Sequence, residues 1–382
     1  MAMDPAESSR VLRSEATGVS MSDLTKYVDG FTRRDWQTLD STAVDEPVRL
    51  AVVGLGWFSR DWALPGIARS PFTEATVVTD INENAVDDVA DEHDLIGVTP
   101  EAFRSGRVVS EYDAVYIATP NATHLEYVAA AADQGKAVLC EKPMAATVEG
   151  AEQIVSVCED AGVPLMVGYR MQTDPAVRRI AELLEDGFIG NVTHVHATMS
   201  QTMLAELTGE PDQWRLDPEL SGGCALMDIG IYPINTTRFV LDQDPVEVSG
   251  RTRTEHEAFA GVDEHASFQL EFPSGIDAMC TVSQNAHHAS RLELTGTEGR
   301  LILDPAFYER EDREITVVRD GTRMDVEFDS AHQLEEEFAY FGHQLLVDEE
   351  IHPDGYHAVT DMYVLDGIYE SAETGERVSL TE

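Results

Sequence analysis

Residues 48–59 read VRLAVVGLGWFS, and this stretch decides the fold. Its apolar first half is typical of a parallel strand that is buried on both faces. The strand opens into Gly54-x-Gly56-x-x-Ser59, the glycine pattern of a turn that binds a dinucleotide. Gly54 makes the tight bend, and Gly56 leaves room for a pyrophosphate at the N-terminus of a helix that begins near Phe58. The spacing alone is equally consistent with a plain turn between a strand and a helix.

The sequence after this turn keeps alternating between helices and strands. A helix is predicted over residues 60–70, and a second strand over residues 73–80 ends in Asp80. A carboxylate at this place accepts hydrogen bonds from the adenosine ribose of a dinucleotide, or alternatively caps the next helix. A further helix and strand lead to a buried strand over residues 112–118. The order βαβαβ predicts a Rossmann doubly wound parallel sheet, an α/β fold.

The composition limits the class of protein. The chain has 382 residues, enough for two domains, and carries 71 acidic against 26 basic residues, a formal net charge of −45. We therefore expect neither nucleic acid nor an anionic membrane as a partner. Lysine occurs only as Lys26, Lys136 and Lys142. Such a surface is similar to that of proteins from halophilic archaea, where concentrated salt screens the repulsion between carboxylates.

The cysteines and the N-terminal residues favour a cytoplasmic protein. Cys140, Cys158, Cys224 and Cys280 stand singly in apolar surroundings, and we expect them to be reduced core thiols. No apolar run has the length of a membrane span, and no signal-peptide core is present. Residues 1–46 are interpreted as an N-terminal arm, in which residues 22–39 have the pattern of an amphipathic helix capped by Ser22.

Two short motifs follow at the ends of later strands. TPNATH spans residues 119–124, and EKP spans residues 141–143 after a short strand over residues 137–140. Together with GLGWFS, this succession resembles the glucose-fructose oxidoreductase and inositol dehydrogenase (Gfo/Idh/MocA) family. The resemblance implies that Lys142 lies beside a nicotinamide and a substrate, and that its peptide bond to Pro143 is cis. A lysine at a strand end is otherwise usually a surface residue, but this one lies among apolar residues.

A glycine-rich segment supplies the second part of the resemblance. Residues 222–232 read GGCALMDIGIY and are similar to the family segment G-G-small-x-x-x-D-x-G-x-H/Y. Asp228 and Tyr232 are four residues apart, so on one helical turn they point the same way. The tyrosine form resembles glucose-fructose oxidoreductase, dihydrodiol dehydrogenase and the aldose dehydrogenases that act at C1. The alternative is a half-buried core phenol preceded by a helix-capping aspartate.

The resemblance implies an NAD(P)-dependent oxidoreductase that transfers hydride from C1 of an aldopyranose, D-xylose foremost, to the coenzyme and forms the lactone. A free tyrosine, with a pKa of about 10, is a poor base unless a cation favours the phenolate. We therefore assign catalysis to Lys142, Tyr232 and Asp228. Tyr232 is the base, Lys142 supplies the cation, and Asp228 orients Lys142 or the sugar hydroxyls.

The candidate contacts form two groups. Cofactor contacts are expected from Gly54, Gly56, Trp57, Phe58, Ser59, Arg60, Thr79, Asp80, Thr119, Asn121, His124, Glu141 and Lys142. Substrate contacts are expected from Tyr169, Arg170, Trp214, Arg215, Asp228 and Tyr232. Asp80 favours NAD, because a carboxylate pairs with a ribose 2′-hydroxyl and repels a 2′-phosphate. The resemblance favours NADP, which requires Asp80 to turn aside and Ser59, Arg60 or Thr79 to reach the phosphate.

The periodicity changes after residue 191, within the second predicted domain. Residues 47–170 are interpreted as the Rossmann domain and residues 171–382 as an α+β domain. A large, mostly antiparallel open sheet is predicted from the alternating segments 192–200, 246–254, 265–272, 276–283, 291–294 and 300–304, with a hairpin turn at 296–299. Helices are predicted over residues 174–185, 332–347 and 357–370. In the family such a sheet commonly forms the subunit interface, which implies a homodimer or homotetramer.

Other chemistries find little support in the sequence. His194 with His196, and His287 with His288, lack a third ligand at motif spacing, so no metal is predicted. The Walker pattern and the Gly-x-Ser-x-Gly turn are absent, which argues against phosphoryl transfer and hydrolysis. Two further functions stay open. One is a polyol, inositol or dihydrodiol dehydrogenase, and the other is a catalytically silent dinucleotide sensor, which would not need the three catalytic residues.

Overall fold

The computed structural model describes residue 34 and residues 36–206, 213–308, 312–328 and 332–380. Two β-sheets dominate this part of the chain, one with six strands and one with nine. They confirm the predicted fold class, a Rossmann sheet followed by a large antiparallel sheet. The arm helix predicted over residues 22–39 falls largely outside the described residues, and its described end, residues 36–39, is not helical.

The neighbouring strands of the first sheet pair in parallel. Its strands are β1 (Val48–Val53), β2 (Thr73–Thr79), β3 (Ile96–Val98), β4 (Ala114–Ile117), β5 (Ala137–Glu141) and β6 (Leu165–Gly168). Their order is β3-β2-β1-β4-β5-β6. β4, β5 and β6 are buried throughout, as the apolar runs predict. The order reverses between β1 and β4, and open α/β sheets bind ligands at the carboxyl ends of the strands beside such a point.

Helices follow the strands of this sheet. They are α1 (Leu64–Arg69), α2 (Glu83–His93), α3 (Pro100–Arg104), α4 (His124–Asp133) and α5 (Val148–Ala161), the last of which was not predicted. The helix predicted from residue 60 begins instead as a π-helical turn, Ser59–Ala63. Pro65 follows this turn within one continuous helical run, and its missing N–H coincides with the change from π-helical to α-helical bonding. Gly66 permits close packing, since an added Cβ would lie 2.9 Å from Leu334 Cβ.

The second sheet is built mostly from antiparallel pairs, with one parallel pair. Its strands are β7 (Val192–Thr202), β8 (Glu247–Arg253), β9 (His265–Glu271), β10 (Asp277–Ser283), β11 (Asn285–Gly296), β12 (Gly299–Asp304), β13 (Arg313–Arg319), β14 (Thr322–Phe328) and β15 (Val378–Ser379). Their order is β14-β13-β12-β11-β7-β10-β9-β8-β15. The hairpin at residues 296–299 is confirmed. Strands β13, β14 and β15 were not predicted, although the sequence of β14, TRMDVEF, alternates apolar and charged residues.

The remaining α-helices of the described ranges follow β6 in the sequence. They are α6 (Pro175–Glu185), α7 (Met203–Glu206), α8 (Pro218–Ser221), α9 (Ile231–Leu241), α10 (Gln333–Val347) and α11 (Gly355–Thr374). A π-helical turn, Ala225–Gly230, leads directly into α9. Although α10 follows the second sheet in sequence, it packs against α1, β1 and β2 of the first. The domain limits given above stay a prediction.

Candidate active site

A cavity of about 140 Å³ lies at the carboxyl ends of β4 and β5, between the first sheet and β7. Its walls are formed by Trp57, Phe58, Ala118, Thr119, Asn121, Glu141, Lys142, Met199, Gln201, Trp214, Arg215, Asp228, Ile229 and Tyr232. All of these except Ala118, Met199, Gln201 and Ile229 were singled out from the sequence. The fold therefore brings most of the predicted cofactor and substrate residues into one place.

The glycine turn has the geometry that a dinucleotide requires. Gly54 has a φ of +93°, and a Cβ there would lie 2.6 Å from Ala118 O, so only glycine fits between β1 and β4. Gly56 is exposed, and a Cβ there would meet nothing within 4 Å. The tight bend at Gly54 and the open space at Gly56 fit a pyrophosphate lying against the turn.

Asp80 is turned toward the glycine turn. Its Oδ2 accepts a hydrogen bond of 2.6 Å from Leu55 N, and its Oδ1 accepts one of 2.8 Å from Asn82 N. Arg60 Nε donates to Leu55 O at 3.1 Å, so Arg60 and Asp80 bind the two sides of the same residue. The Asp80 carboxylate thus already has two N–H donors.

Ser59 and Thr79 do not reach the coenzyme side of the turn. Their side chains are 1% and 0% exposed and face the protein interior. The small third position of the glycine pattern serves the close packing of the first helical turn on the sheet. The expectation that either hydroxyl reaches a 2′-phosphate is therefore wrong, and Arg60 is left as the candidate.

Lys142 occupies the centre of the cavity. It precedes a cis peptide bond to Pro143, as the resemblance implied. Its Nζ donates to Asp228 O at 2.9 Å, lies 3.7 Å from Asp228 Oδ1, and sits 4.5 Å from the centroid of the Tyr232 ring. Burial opposes the charged form, but Tyr232, Asp228 and Glu141 outweigh it and hold the pKa of Lys142 above its ordinary value. Lys142 is therefore a cation at neutral pH.

The phenol of Tyr232 contacts a second cation. Arg170 Nε donates to Tyr232 Oη at 3.1 Å, and its guanidinium lies 4.6 Å from the ring centroid. Arg170 is 2% exposed and also donates to Phe307 O and to Gln333 Oε1. The expectation that Arg170 contacts substrate is wrong, because it lies behind Tyr232. The cation at the phenolic oxygen is Arg170, whereas Lys142 lies over the ring.

Asp228 links two cations. Its Oδ2 accepts a hydrogen bond of 2.7 Å from Gln284 Nε2 and lies 3.2 Å from Arg215 Nε. Burial favours its protonated form, but Arg215, Lys142 and Gln284 outweigh it and hold the pKa of Asp228 below its ordinary value. The ionised carboxylate thus orients Lys142 and Arg215, whose guanidinium stacks on Trp214 at 4.5 Å. Sequence reasoning missed Gln284, which follows β10 and carries no motif.

Two other predicted residues, His124 and Tyr169, lie behind the walls, and Glu141 is held within them. His124 is 0% exposed, and its ring nitrogens lie 3.0 Å from Met144 O and 2.8 Å from Thr119 O, which ties the two motif loops together. Tyr169 is buried against His357, with 5.9 Å between ring centroids. The structure therefore corrects the assignment of His124 to cofactor and of Tyr169 to substrate. Glu141 accepts a hydrogen bond of 2.7 Å from Tyr116 Oη, and burial raises the pKa of its carboxyl.

Three further observations on the described residues concern metal ligands, disulfides and membrane-spanning helices. Within the described ranges, no group of three or more His, Cys, Asp or Glu side chains is placed to hold a metal ion. All four cysteines are buried, and none forms a disulfide. Among the described helices, none combines the length and the apolar character that crossing a bilayer requires.

Comparisons with known proteins agree with this geometry. Residues 48–169 match an oxidoreductase family with an NAD-binding Rossmann fold (GFO_IDH_MocA), and residues 177–302 match the GFO/IDH/MocA C-terminal domain. Over 354 residues the chain is 48% identical to a D-xylose 1-dehydrogenase [NADP(+)] of Haloarcula marismortui, covering 92% of this chain and 98% of that protein.

Two further similarities extend over most of the chain. D-xylose 1-dehydrogenase (NADP(+)) 2 of Haloferax volcanii is 33% identical over 336 residues, which cover 87% of this chain and 98% of that protein. Among solved structures, the aldose-aldose oxidoreductase from Caulobacter crescentus, complexed with glycerol, matches with a TM-score of 0.82 at 28% identity. That match covers 88% of this chain and 100% of the solved one.

Proposed function

Because the chain belongs to the Gfo/Idh/MocA family of oxidoreductases, we propose that it oxidises D-xylose, or a similar aldopyranose, at C1 with NADP and forms the lactone. The observation that carries the proposal is the convergence of Lys142, Asp228 and Tyr232 in one cavity beside the glycine turn. The two NADP-linked D-xylose dehydrogenases that it matches over nearly their full lengths support both the substrate and the coenzyme.

The residues around the cavity have three roles in the reaction, which are coenzyme binding, proton acceptance and stabilisation of charge. The glycine turn, Trp57 and Phe58 would hold the coenzyme, whose nicotinamide supplies the hydride acceptor. Tyr232 accepts the proton of the C1 hydroxyl, and Arg170 and Lys142 stabilise the negative charge on its phenolate form. The nearby carboxylate of Asp228 favours the charged form of Lys142, so Lys142 acts as a cation and not as the base.

Replacing Tyr232 by Phe tests this division of roles. Turnover is expected to fall by about 10²- to 10⁴-fold, because the proton acceptor is lost, while the binding of NADP changes little. Tyr363→Phe, which removes an exposed hydroxyl from α11, is the matched control and should keep full turnover. Steady-state kinetics at saturating sugar provide the measurement. Near-full turnover in Tyr232→Phe would show that another group takes the proton.

We propose that Arg60 binds the 2′-phosphate of NADP. Arg60 is anchored through Nε to Leu55 O, the carbonyl of the residue whose N–H is bound by Asp80. Arg60→Gln is expected to lower kcat/KM for NADP by about tenfold or more, since charge-assisted hydrogen bonds are lost, and to change kcat/KM for NAD little. Arg69→Gln, an exposed position of α1, is the control.

Asp80 provides the converse test of coenzyme choice. Asp80→Ser is expected to shift the preference further toward NADP, because the carboxylate that would repel a 2′-phosphate is removed. The ratio of kcat/KM for the two coenzymes is the measurement. A wild-type preference of about tenfold or more for NAD would overturn the assignment of NADP and return Asp80 to a ribose-binding role.

A spectrophotometric screen tests the substrate. Pentoses, hexoses and inositols are offered with each coenzyme in buffer with molar salt, and reduction of the nicotinamide is followed. The proposal expects the highest kcat/KM with D-xylose or another aldopyranose. Higher efficiency with inositols or diols would favour the polyol alternative. Tight coenzyme binding with no oxidation of any compound would instead favour the dinucleotide sensor.

We also propose a homodimer or homotetramer formed through the second sheet. Its open face carries two grooves of about 580 and 460 Å³, lined by side chains of β7 to β11. A large exposed sheet face of this kind is suited to pairing with a second copy. Light scattering in molar KCl would measure the mass of the assembly. The cytoplasmic location belongs to the same proposal and is supported by the unbridged cysteines.

A further inference from the structure

A chain of two amide side chains runs from Asp228 to the cavity wall. Gln284 Nε2 donates to Asp228 Oδ2 at 2.7 Å, and Gln201 Nε2 donates to Gln284 Oε1 at 2.8 Å. Gln284 is 0% exposed, whereas Gln201 is partly exposed and lines the cavity. The chain therefore begins at a residue assigned to catalysis and ends where a substrate would bind.

The direction of this chain is fixed by the chemistry of Asp228. An ionised carboxylate only accepts hydrogen bonds, so Gln284 must present its NH₂ group to it. The Gln284 carbonyl oxygen then faces Gln201, and only the NH₂ group of Gln201 can satisfy it. Each side-chain orientation thus follows from the previous one. Gln201 Oε1 is left as a hydrogen-bond acceptor with no further bond among the described residues.

The strand that carries Gln201 aims it at the cavity. Side chains alternate between the two faces of a strand, and Met199 and Gln201 of β7 both line the cavity. Ser200, between them, points the other way and donates to His287 O at 2.6 Å. Met199 supplies an apolar neighbour, so Gln201 is the polar group that β7 contributes to this wall.

We propose that Gln201 is a specificity-determining residue, whose Oε1 accepts a hydrogen bond from one hydroxyl of the sugar ring, and that Gln284 is a positioning residue that fixes this orientation. The inference rests on the proposed aldose dehydrogenase function and deepens it. A fixed acceptor discriminates against a sugar that lacks the matching hydroxyl, because a polar group in a closed site is then left unpaired. The same chain also holds Asp228 in its place against Lys142 and Arg215.

The test pairs variants with deoxy sugars. Wild type, Gln201→Met and the control Gln344→Met are assayed with D-xylose and with its 2-, 3- and 4-deoxy analogues in molar KCl. Gln344 is a partly exposed residue of α10, where its amide donates to Glu350 O. Gln201→Met is expected to lower kcat/KM for D-xylose by about 10- to 100-fold. For one deoxy analogue the same variant should change kcat/KM by less than about threefold, since that analogue already lacks the hydroxyl that Gln201 would bind.

Gln284→Met separates positioning from simple support of the fold. In this variant Gln201 is intact but its amide is free to rotate. The ratio of kcat/KM for D-xylose to kcat/KM for that deoxy analogue is expected to fall to within about threefold of the ratio measured for Gln201→Met. A merely structural loss would lower kcat/KM for both sugars equally and leave their ratio unchanged. Should Gln284→Met fail to fold, the Gln201→Met series alone decides the inference.

The outcomes distinguish this inference from the function on which it rests. If wild type oxidises no aldose with either coenzyme, the proposed function is wrong and the inference falls with it. If wild type oxidises D-xylose but Gln201→Met lowers kcat/KM for all three deoxy analogues by the same factor, only the role of Gln201 is overturned. A single analogue that is insensitive to Gln201→Met supports the inference and identifies the hydroxyl.

Discussion

Lys142→Met is expected to lower kcat by about 10²- to 10⁴-fold while the dissociation constant for NADP changes much less. The side chain of Met fills a similar volume without charge. What is lost is the ammonium that lies 4.5 Å from the Tyr232 ring and is bound to Asp228 O. Without this cation the phenolate form of Tyr232, which accepts the proton of the sugar, is less favoured, so the variant raises the barrier more than it weakens ground-state binding.

The same strand offers a matched control for this variant. Lys136 immediately precedes β5, at its opposite end from Lys142, and donates to Tyr112 O at 2.6 Å. Lys136→Met removes a partly buried lysine far from the carboxyl edge and should keep kcat within about twofold. Coenzyme binding is followed by fluorescence titration, and turnover by steady-state kinetics. Near-full turnover of Lys142→Met at saturating sugar would remove Lys142 from the mechanism.

The protein is expected to lose its native fold when salt falls below about 0.5 M, because the screening length lengthens from roughly 3 Å at 1 M to 10 Å at 0.1 M. The formal net charge of −45 makes this a large effect. Helix α2 shows the local cause, since its exposed carboxylates are spaced four residues apart as Glu83, Asp87 and Asp91 and as Asp88 and Glu92. Like charges at this spacing destabilise a helix by about 0.2–0.5 kcal/mol a pair.

Thermal unfolding at several KCl concentrations measures this dependence. Between about 0.2 and 2 M KCl the Tm is expected to rise by about 10 °C or more, corresponding to roughly 8 kcal/mol for a chain of this size. Sucrose at matched osmolality is the control, because an excluded uncharged solute stabilises folded proteins without screening charge. A Tm that does not change with KCl, or that rises equally in sucrose, would contradict the electrostatic explanation.

Much of the first sheet and of the catalytic set could be predicted from short stretches of sequence. The apolar runs and the glycine turn determined the Rossmann sheet, because parallel strands buried on both faces need such runs. Lys142 was found because the EKP motif at the end of a buried strand resembles a motif of the family, and Asp228 and Tyr232 because residues 222–232 resemble another. Each of these signals lies within about a dozen residues, where spacing translates directly into geometry.

The partners of these residues were decided only by the tertiary structure. Arg170 reaches Tyr232 across 62 positions of sequence, and Gln284 reaches Asp228 across 56. Gln201 lies on an alternating strand whose sequence pattern cannot distinguish a cavity wall from the inner face of a sheet. Such contacts depend on how the second sheet packs over the first, which is set by the sum of many buried side chains. The sequence alone therefore determined the fold class and the residues proposed to react, whereas the packing of the two sheets decided which cation contacts the phenol and which amide faces the cavity.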